Sequence, residues 1–395
     1  MAMSTDKKKI EELLTRGVEE IIDRDHLKKR LESGKQLRVK FGIDPTGSDM
    51  HIGHAVPLLK LREFQDLGHQ VILLIGDYTA TIGDPSGRNE TRPLLKHEDI
   101  QKNMKTYTKQ AAKILDMSTV ELRYNSEWYG RPNFMKLLME LTGKISLNQI
   151  LARRDFKKRT REGHDIRYQE ALYPVFQGYD SVELESDVEL GGTDQKFNLL
   201  MGRTVQKRYE KAEQDIITTP IIEGVDGTKK MSKTYGNYIG LLDEPEDMYG
   251  KTMSIPDKLI LRYFTLTTRI SLEQIRTFEK NMKQGKNPRD IKMKLAYEVV
   301  RMYHGEKKAS AAQQKFVETF SKRETPDEMP VLASKSLNIV DVLIEAEFAK
   351  SKGEARRAID GGGVRINEKK VESHDVEVSS GDVVNKGKRH FVRIK

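Results

Sequence analysis

The chain has 395 residues, more than one compact core usually holds, and this length predicts two or three domains. It contains no cysteine, which excludes disulfides, thiolate metal sites and cysteine nucleophiles. A net charge of +9 and a pI near 9.2 favour an anionic partner.

Neither a membrane segment nor an export signal is predicted. No apolar run approaches the roughly 18 residues that a bilayer-spanning helix needs. The first nine residues lack the apolar core of a signal peptide. We therefore expect a cytoplasmic protein that does not act at a membrane.

The chain begins with helical periodicity and then changes to a strand. Residues 7–33 carry the apolar spacing of one or two amphipathic helices. The apolar run from Leu37 to Ile43 predicts a buried strand, and a second helical pattern is clear from Val56 onward. A strand, a turn rich in Gly, Pro, Asp and Ser, and a helix together predict the first crossover of a nucleotide-binding α/β unit.

Two histidines occupy the turn between this strand and this helix. His51 and His54 are three residues apart, so both imidazoles project from one side of the first helical turn. A helix N-terminus offers free N–H groups and a positive dipole end to phosphate. Imidazole donors there could stabilise charge developing on a phosphate, and Gly53 leaves room for a base or ribose. Two solvated histidines at a helix start are the alternative.

The second predicted strand covers Gln70 to Gly76 and leads into a long loop. That loop, residues 77–88, is rich in Gly, Pro and Thr and contains Asp84, held by neighbouring turn residues. Open α/β sheets bind ligands in loops that follow the carboxyl ends of their strands. Arg88 and Arg92 follow and are available for phosphate or for helix pairing.

A basic run follows a mostly helical region, residues 98–150, in which residues 120–124 predict a strand. Residues 153–161 hold six basic side chains and one acid. Such a run is commonly a solvated helix face, and the basic net charge raises the alternative of an RNA-phosphate contact. The residues with which we associate this contact are Arg153, Arg154, Lys157 and Lys158.

A polar face is predicted on the next helix. Tyr173, Gln177 and Asp180 lie at positions i, i+4 and i+7, which one face of a helix shares. A phenol, an amide and a carboxylate among apolar residues suit a pocket for a small polar ligand. A strand beginning near Val188 then enters a glycine-rich turn, where Asp194 could accept a ribose hydroxyl or cap the next helix.

A lysine-rich loop and a basic C-terminal unit complete the pattern. Residues 224–237 carry three lysines within five residues, flanked by Gly227 and Gly236, which predicts a mobile cationic loop suited to polyphosphate. Helical patterns follow from about residue 245, and residues 321–330 resemble a linker. Residues 337–395 predict a helical hairpin beside a small sheet, which could hold an RNA groove.

These motifs resemble those of the bacterial tyrosyl-tRNA synthetases, a branch of the class I aminoacyl-tRNA synthetases, over essentially the whole chain. The most specific parts are His51-Ile52-Gly53-His54 and Lys230-Met231-Ser232-Lys233-Thr234, which match the two class I signatures. The choice of tyrosine rests on residues 82–87, on the face of Tyr173, Gln177 and Asp180, and on residues 191–195.

The resemblance implies an α/β fold with a Rossmann-like parallel-sheet catalytic domain. This domain would cover residues 1–245, with an insertion at about 125–170. An α-helical anticodon-binding domain would follow at 246–323, and a linker at 324–336. A small α+β RNA-binding domain of the ribosomal-protein type would cover 337–395. A homodimer through the catalytic domain is expected.

The implied reaction is the ATP-dependent activation of L-tyrosine to tyrosyl-adenylate, followed by transfer to the 3′ end of tRNA(Tyr). Mg²⁺ would arrive with the substrate ATP, and no structural metal is expected. His51, His54, Lys230 and Lys233 would be catalytic.

Three sets of binding residues accompany this reaction. The implied ATP-binding residues are Gly42, Asp44, Thr46, His51, Gly53, His54, Gly192, Asp194, Lys230, Met231, Ser232, Lys233 and Thr234. The implied tyrosine-binding residues are Lys40, Asp84, Tyr173, Gln177, Asp180 and Gln195. The expected RNA-binding residues are Arg153, Arg154, Lys157, Lys158, Lys352, Arg356 and Arg357.

Two positions depart from the better-known branch of the family. Lys40 stands where that branch has tyrosine, and Glu189 stands where it has glutamine. Two alternative functions remain open at this point: a tryptophan-specific enzyme of the same class, and an inactive RNA-binding protein on a synthetase scaffold.

Overall fold

A computed structural model describes residues 3–86, 97–321, 329–334, 336–367, 369–387 and 390–395. The chain forms two compact units, Met1–Lys315 and Phe316–Lys395. Within the described ranges no helix has the length and apolar character of a membrane span. The boundaries at 245, 323 and 336 stay predictions, and residues 322–328 and 335 of the linker region lie outside the described part of the chain.

The first unit is built on a six-stranded sheet with helices before, between and after the strands. Its strands are β1 (Glu20–Ile22), β2 (Arg38–Ile43), β3 (Gln70–Ile75), β4 (Glu121–Tyr124), β5 (Val188–Gly192) and β6 (Asp215–Thr219). The helices up to β6 are α1 (Lys7–Leu13), α2 (Arg24–Glu32), α3 (Ile52–Asp66), α4 (Thr79–Ile82), α5 (His97–Ala111), α6 (Ser126–Tyr129), α7 (Phe134–Lys144), α8 (Leu147–Leu151), α9 (Arg154–Arg161), α10 (Tyr168–Glu183) and α11 (Lys196–Arg208). After β6 come α12 (Pro245–Ser254), α13 (Ile260–Thr267), α14 (Leu272–Lys283), α15 (Pro288–His304) and α16 (Glu306–Ser321).

The strand order in this sheet is β1-β6-β5-β2-β3-β4. Strands β2 to β6 run parallel, and only β1 pairs antiparallel, with β6. From β2 the chain moves outward to β3 and β4, and it later returns to the other side of β2 to place β5 and β6. This reversal puts the topological switch point between β2 and β5, where doubly wound sheets leave a crevice for ligands.

The predicted α/β class is confirmed, and so are the strands expected at β2, β3, β4 and β5. Strand β3 is buried along five of its six residues, as its nearly unbroken apolar run predicted. Strands β1 and β6 were not predicted. The segment expected to hold one or two N-terminal helices contains α1 and α2 with β1 between them.

Helix α10 has apolar neighbours on the side away from the crevice. Phe176 packs against Tyr129, with ring centroids 4.9 Å apart, and Tyr129 contacts Tyr78 at 5.1 Å. This cluster joins α10 to β3 through Ile72 and Leu74. This packing fixes α10 against the sheet and thereby positions the polar face of the helix.

The second unit contains a small sheet and two helices. Its sheet has the order β7-β11-β10-β8-β9, formed by β7 (Val331–Leu332), β8 (Val364–Ile366), β9 (Lys369–Lys370), β10 (Val383–Lys386) and β11 (His390–Ile394). Helices α17 (Ile339–Glu345) and α18 (Lys352–Asp360) pack on a core that includes Leu343, Ile359 and Val384. The helical hairpin and strands β8 and β11 were predicted, whereas β7 and β10 were not.

Candidate active site

A cavity of about 340 Å³ opens at the carboxyl ends of β2 and β5, at the switch point of the sheet. Most of the site residues expected from the sequence line it. They are Lys40, Gly42, Asp44, Thr46, His51, Gly53, His54, Asp84, Tyr173, Gln177, Asp180, Gly192, Asp194, Gln195, Lys230, Met231 and Ser232. Parts of the chain that are more than 100 residues apart therefore meet at one place.

The two histidines stack on the first turn of α3, with ring centroids 3.9 Å apart. His51 is the N-cap, and its Nδ1 accepts a hydrogen bond from Gly53 N at 3.2 Å. His54 Nδ1 accepts from His51 N at 3.1 Å. Because Nδ1 is the acceptor in each neutral ring, Nε2 carries the proton and is the available donor.

Both imidazoles are neutral near pH 7. Burial, with a smaller contribution from His54 and the lysines of the cationic loop, lowers the pKa of His51 to about 2. Burial and the charge of Lys233 lower the pKa of His54 to about 4. The pair therefore offers two neutral N–H donors, which can hydrogen-bond a phosphate without first losing a hydration shell of their own.

Gly53 is required by the stacked rings. A Cβ at this position would lie 2.9 Å from His51 Cε1 and Nδ1, closer than carbon atoms approach. A side chain here would push the imidazole out of its capping position. The space expected beside Gly53 is thus already used in part by the first histidine.

The three polar residues of α10 all line the cavity, as their spacing predicted. Asp180 is the most buried of the three and accepts hydrogen bonds from Trp128 Nε1 at 3.0 Å and Asn125 Nδ2 at 3.4 Å. Burial raises the pKa of the Asp180 carboxyl to about 7, although Lys40 acts in the opposite direction. An ionised Asp180 can accept a further hydrogen bond from a ligand hydroxyl.

Tyr173 is tied to the β2 loop through Asp44. Its hydroxyl donates to Asp44 Oδ2 at 3.0 Å, and Thr79 Oγ1 donates to Asp44 Oδ1 at 2.8 Å. Asn125 Nδ2 in turn donates to Thr79 Oγ1 at 2.9 Å. These bonds connect the loop after β2 with α4 and α10 at the cavity wall.

Asp84 and Gln195 form a second polar cluster on the cavity wall. Gln195 Nε2 donates to Asp84 Oδ2 at 2.6 Å, and Ser86 N donates to Asp84 Oδ1 at 2.9 Å. Asn198 Nδ2 donates to Gln195 Oε1 at 2.9 Å. The turn residue Ser86 thus holds Asp84 as expected, while Gly87, Arg88 and Arg92 lie outside the described residues.

The two positions that depart from the better-known branch of the family lie side by side. Lys40 on β2 and Glu189 on β5 are register neighbours, and Lys40 Nζ is 2.9 Å from Glu189 Oε1. Their side chains are 0% and 1% exposed. The sequence identified both positions but did not predict that they form an ion pair.

The cationic loop is shaped by two left-handed glycines and by Asn237. Gly227 and Gly236 have φ of +70° and +64°, so both use a conformation that favours glycine. Asn237 Oδ1 accepts from Ser232 N at 2.8 Å, and its Nδ2 donates to Lys230 O at 3.2 Å.

The residues of the cationic loop differ in their relation to the cavity. Lys230 is exposed at the cavity edge. Lys233 Nζ lies 3.8 Å from Asp49 Oδ2. Lys233 and Thr234 do not line the cavity, although Lys233 is close enough for its charge to lower the pKa of His54.

The expected contact between Arg153 and RNA is corrected by the structure. The Arg153 side chain is only 3% exposed and pairs with Asp155 at 2.7 Å. It also donates to Asn198 Oδ1 and Ser86 Oγ, each at 3.0 Å, and its guanidinium lies 5.0 Å from the ring centre of Phe156. The guanidinium is an internal support of the Asp84 and Gln195 cluster and has no access to a phosphate.

The other expected RNA-binding residues are on the surface. Arg154, Lys157 and Lys158 are exposed on α9. On α18, Arg356 and Arg357 are exposed, and Lys352 Nζ is 2.7 Å from Asp341 Oδ1. Contact between RNA and these side chains stays a prediction.

Several residues of the site were missed in the sequence. Asn125 and Trp128 flank Asp180, and Asn198 links Gln195 with Arg153. Trp128 had one signal, since it is the only tryptophan of the chain. The Pro220–Ile222 segment also lines the cavity, and it was missed together with β6, the strand that it follows.

The sequence matches two protein families that together cover nearly all of it. Residues 5–321 match the family described as "tRNA synthetases class I (W and Y)". Residues 322–394 match the family described as "Tyrosine--tRNA ligase SYY-like C-terminal domain".

Curated relatives match over almost their full length. The tyrosine–tRNA ligase of Thermotoga maritima is 53% identical over 386 residues, which are 97% of this chain and 96% of that protein. The tyrosine–tRNA ligase of Dehalococcoides mccartyi strain 195 is 45% identical over 98% of this chain and 99% of that protein.

Solved structures agree in fold. A C-terminally truncated mitochondrial tyrosyl-tRNA synthetase of Aspergillus nidulans has a TM-score of 0.69 at 25% identity, covering 79% of this chain and 94% of that one. The tyrosyl-tRNA synthetase of Archaeoglobus fulgidus has a TM-score of 0.64 at 24% identity, covering 79% of this chain and 100% of that one, a likeness of fold alone. From the nearly complete match in sequence and the shared fold it follows that this chain belongs to the tyrosyl-tRNA synthetase family of class I.

Proposed function

We propose that this protein activates L-tyrosine with ATP and transfers the tyrosyl group to tRNA(Tyr). The observation that carries the proposal is a single cavity lined at once by the histidine turn, by the cationic loop and by the polar face of α10. The first two suit a phosphate chain, and the third suits a small polar amino acid. Adenylate formation needs both ligands in one place.

The first step would be an in-line displacement at the α-phosphate. A carboxylate oxygen of tyrosine forms the new P–O bond, the bond from the α-phosphorus to the bridging oxygen breaks, and pyrophosphate leaves. His51 and His54 would donate their Nε2 hydrogens to the phosphate, where negative charge develops. Lys230 and Lys233 would hold the leaving pyrophosphate once the loop closes. No covalent intermediate on the protein is needed.

Tyrosine would be recognised at both ends. Asp180 would accept a hydrogen bond from the phenol hydroxyl at the bottom of the cavity. Asp84, Tyr173 and Gln177 would surround the ammonium group, and Gln195 would meet the carboxylate. Phenylalanine would leave Asp180 without its partner, which is the physical basis of discrimination; the standard example of this effect is an enzyme of this family.

The nucleotide would lie along the loops after β2 and β5. Gly42, Asp44 and Thr46 would contact it on one side, and Gly192 and Asp194 would address the ribose. Met231, Ser232 and Thr234 would shape the cationic loop around it. In the described residues no three His, Asp or Glu side chains come together as a metal site. Mg²⁺ would arrive with ATP, bound mainly by its phosphates, whose charge it would neutralise.

The tRNA would be held through its phosphates by exposed basic side chains. Arg154, Lys157 and Lys158 lie on α9, within the segment between β4 and α10, and Lys352, Arg356 and Arg357 lie on α18. Contacts of this kind give an affinity that falls steeply with salt. A role in translation would place the protein in the cytoplasm.

A homodimer is part of the proposal. The region of α7 and α8 exposes large apolar side chains that a monomer seldom leaves in water, namely Met135, Met139, Leu147 and Leu151. A second copy of the chain is the proposed cover for this surface. Light scattering at micromolar concentration should give about twice the chain mass of 45.3 kDa, and a monomer mass would refute this part of the proposal.

The test of the catalytic proposal is amino-acid-dependent exchange of pyrophosphate into ATP. Tyrosine, phenylalanine and tryptophan are compared for the wild type and Asp180→Ala. Exchange with tyrosine alone, lost in the variant, is the expected result. Exchange with tryptophan would keep the reaction and change the substrate. No exchange with any of the three would favour an RNA-binding protein without catalysis.

A further inference from the structure

The wall of the proposed tyrosine pocket rests on a network of buried polar groups. Its centre is the ion pair between Lys40 Nζ and Glu189 Oε1, 2.9 Å apart. Ser181 joins both partners, because its Oγ accepts from Lys40 Nζ at 2.7 Å and donates to Glu189 Oε2 at 3.2 Å. Gln177, which lines the cavity, and Gln214 complete the network.

Lys40 is held by groups of the protein. Its Nζ donates to Ser181 Oγ and, at 3.3 Å, to Gln177 O, and it forms the ion pair with Glu189 Oε1. The side chain is also fully buried. These contacts give Lys40 a supporting role at the cavity wall, while its expected direct contact with tyrosine stays a prediction.

Glu189 determines which way the Gln177 amide faces. An ionised carboxylate only accepts hydrogen bonds, and Glu189 Oε1 accepts from Gln177 Nε2 at 3.2 Å. The NH₂ group of the Gln177 amide thus points toward Glu189, and its carbonyl oxygen points away from Glu189. A neutral glutamine at position 189 could accept or donate, so it would permit either orientation of the Gln177 amide.

We propose that Glu189, neutralised by Lys40, is a positioning residue that orients the Gln177 amide so that its carbonyl oxygen receives the ammonium group of the substrate. The inference rests on the proposed function, since it concerns how that function selects an α-amino acid. A carbonyl oxygen attracts an ammonium group, whereas an NH₂ group would repel it. Lys40 allows the carboxylate to be buried without adding net charge to the pocket.

A buried ion pair is weak proof of a stabilising role, because desolvation offsets much of the attraction between the charges. Glu189 accepts three hydrogen bonds, from Gln177, Ser181 and Gln214, and its Oε1 also lies 2.9 Å from Lys40 Nζ. A buried carboxylate with these partners fixes the direction of each donor around it. For Gln177 this direction matters chemically, because Gln177 is the residue of the network that is proposed to contact the ligand.

The test compares two ligands that differ only in the ammonium group. They are L-tyrosine and 3-(4-hydroxyphenyl)propanoate, which keeps the phenol and the carboxylate. Dissociation constants are measured by calorimetry for the wild type, for Glu189→Gln, and for the double variant Lys40→Met/Glu189→Gln, which removes both charges together. The single variant is nearly isosteric, so it remains informative if the double variant does not fold.

The expected result is selective loss. The dissociation constant of tyrosine should rise about tenfold in both variants, the size expected for one hydrogen bond to a charged group. That of the propanoate should change less than about twofold. In pyrophosphate exchange, the KM for tyrosine should rise while the KM for ATP stays unchanged.

A matched control is another buried ion pair, between Arg159 and Glu170 at the start of α10. Arg159 and Glu170 lie 2.8 Å apart at 2% and 5% exposure and do not line the cavity. The double variant Arg159→Met/Glu170→Gln should lose stability without changing the ratio of the two dissociation constants. Equal weakening of both ligands by the Glu189 variants would indicate loss of pocket shape and overturn the inference, as would no change in either. A wild-type protein that binds no tyrosine would instead refute the proposed function.

Discussion

Asp180 shows how one buried residue can make substrate recognition depend on pH. Its carboxyl lies beside Trp128 and Asn125 and is 2% exposed. Burial raises its pKa from 3.8 to about 7. The ionised form is the stronger acceptor for a phenol hydroxyl, because protonation removes the charge and turns one carboxyl oxygen into a donor. Protonation of Asp180 therefore weakens tyrosine binding by the free protein.

We therefore expect the KM for tyrosine to rise as the pH falls below about 7. The rise should approach tenfold per pH unit on the acid side and level off above pH 8, because the carboxylate is then fully ionised. Pyrophosphate exchange between pH 6 and 8.5 measures it. The two histidines add no slope in this range, since the pKa values of His51 and His54 are about 2 and 4.

Asp180→Asn provides the control, because an amide does not titrate. Its weak residual binding of tyrosine should be independent of pH. The variant should also gain stability at pH 8. The pKa of Asp180 is higher in the folded than in the unfolded state, so the stability present below pH 3.8 is lost as the pH rises through about 7. Asparagine does not ionise and therefore avoids this loss. A KM that follows the same pH profile in the variant would assign the titration to another group.

The ion pair of Lys40 and Glu189 marks a limit of prediction at the level of single residues. The sequence identified both positions as unusual. Their contact depends on the parallel register of β2 and β5, which pairs residues 149 positions apart. Hydrophobic pattern predicts that each strand exists, but it does not give the register between two strands that are both buried on two faces.

At the level of elements, α9 shows why the basic run was misread in part. Arg153, Phe156 and Arg159 recur every three residues, and all three are buried. Arg154, Lys157 and Lys158 occupy the other face and are exposed. The single phenylalanine was the available signal, since a helix face that contains it is the one most expected to pack inward. A count of charges along the chain conceals this division.

Arg153→Met should act on stability and on the tyrosine site, and not on tRNA. It breaks the pair with Asp155 and the bonds to Asn198 and Ser86. We expect the free energy of unfolding to fall by about 2 kcal/mol, measured by urea denaturation, because a buried polar cluster loses its donor. The KM for tyrosine should rise, because Asn198 no longer has its support for holding Gln195.

The surface variant Arg154→Ala/Lys157→Ala/Lys158→Ala should have the opposite profile. It should leave the unfolding free energy within about 0.5 kcal/mol of the wild type. Its tRNA affinity should fall, and the slope of log affinity against log salt should flatten by about one unit for each lost phosphate contact. An unchanged slope would make the exposed face of α9 a plain solvated surface.

Strands β1 and β6 were missed because they lack the pattern that identified the others. Strand β1 has three residues, all half-buried, and a run this short gives no alternation to detect. Strand β6 is fully buried but begins with Asp215 and ends in two threonines, so its apolar content is low. Asp215 is satisfied by His26 at 2.9 Å and Arg30 at 3.2 Å, contacts that the sequence does not reveal.

At the scale of the whole molecule, the proposed chemistry lies within one unit. Every residue that lines the cavity belongs to residues 40–232, inside the first compact unit. The second unit has its own core, formed by α17, α18 and its five-stranded sheet. The length of the chain and the change in composition near residue 321 predicted more than one unit. The exact boundaries between the domains stay predictions.

We expect a chain ending at Ser321, which keeps α16 whole, to retain adenylate formation and to charge tRNA poorly. Tyrosine-dependent pyrophosphate exchange should stay within about twofold of the full chain, because the truncation removes no cavity residue. The KM for tRNA should rise at least tenfold, because the basic surface of α18 is lost. Both are measured on the same preparations, with circular dichroism to verify folding.

The triple variant Lys352→Ala/Arg356→Ala/Arg357→Ala in the full chain distinguishes loss of the basic charges of α18 from loss of the whole second unit. If α18 binds RNA through phosphates, this variant should reproduce much of the loss in tRNA affinity and should approach the wild type at low salt, where the remaining contacts suffice. A truncation defect without a defect in the triple variant would move the RNA contact to another surface of the second unit. Loss of exchange in the truncated chain would mean that the first unit depends on residues beyond 321 for its fold.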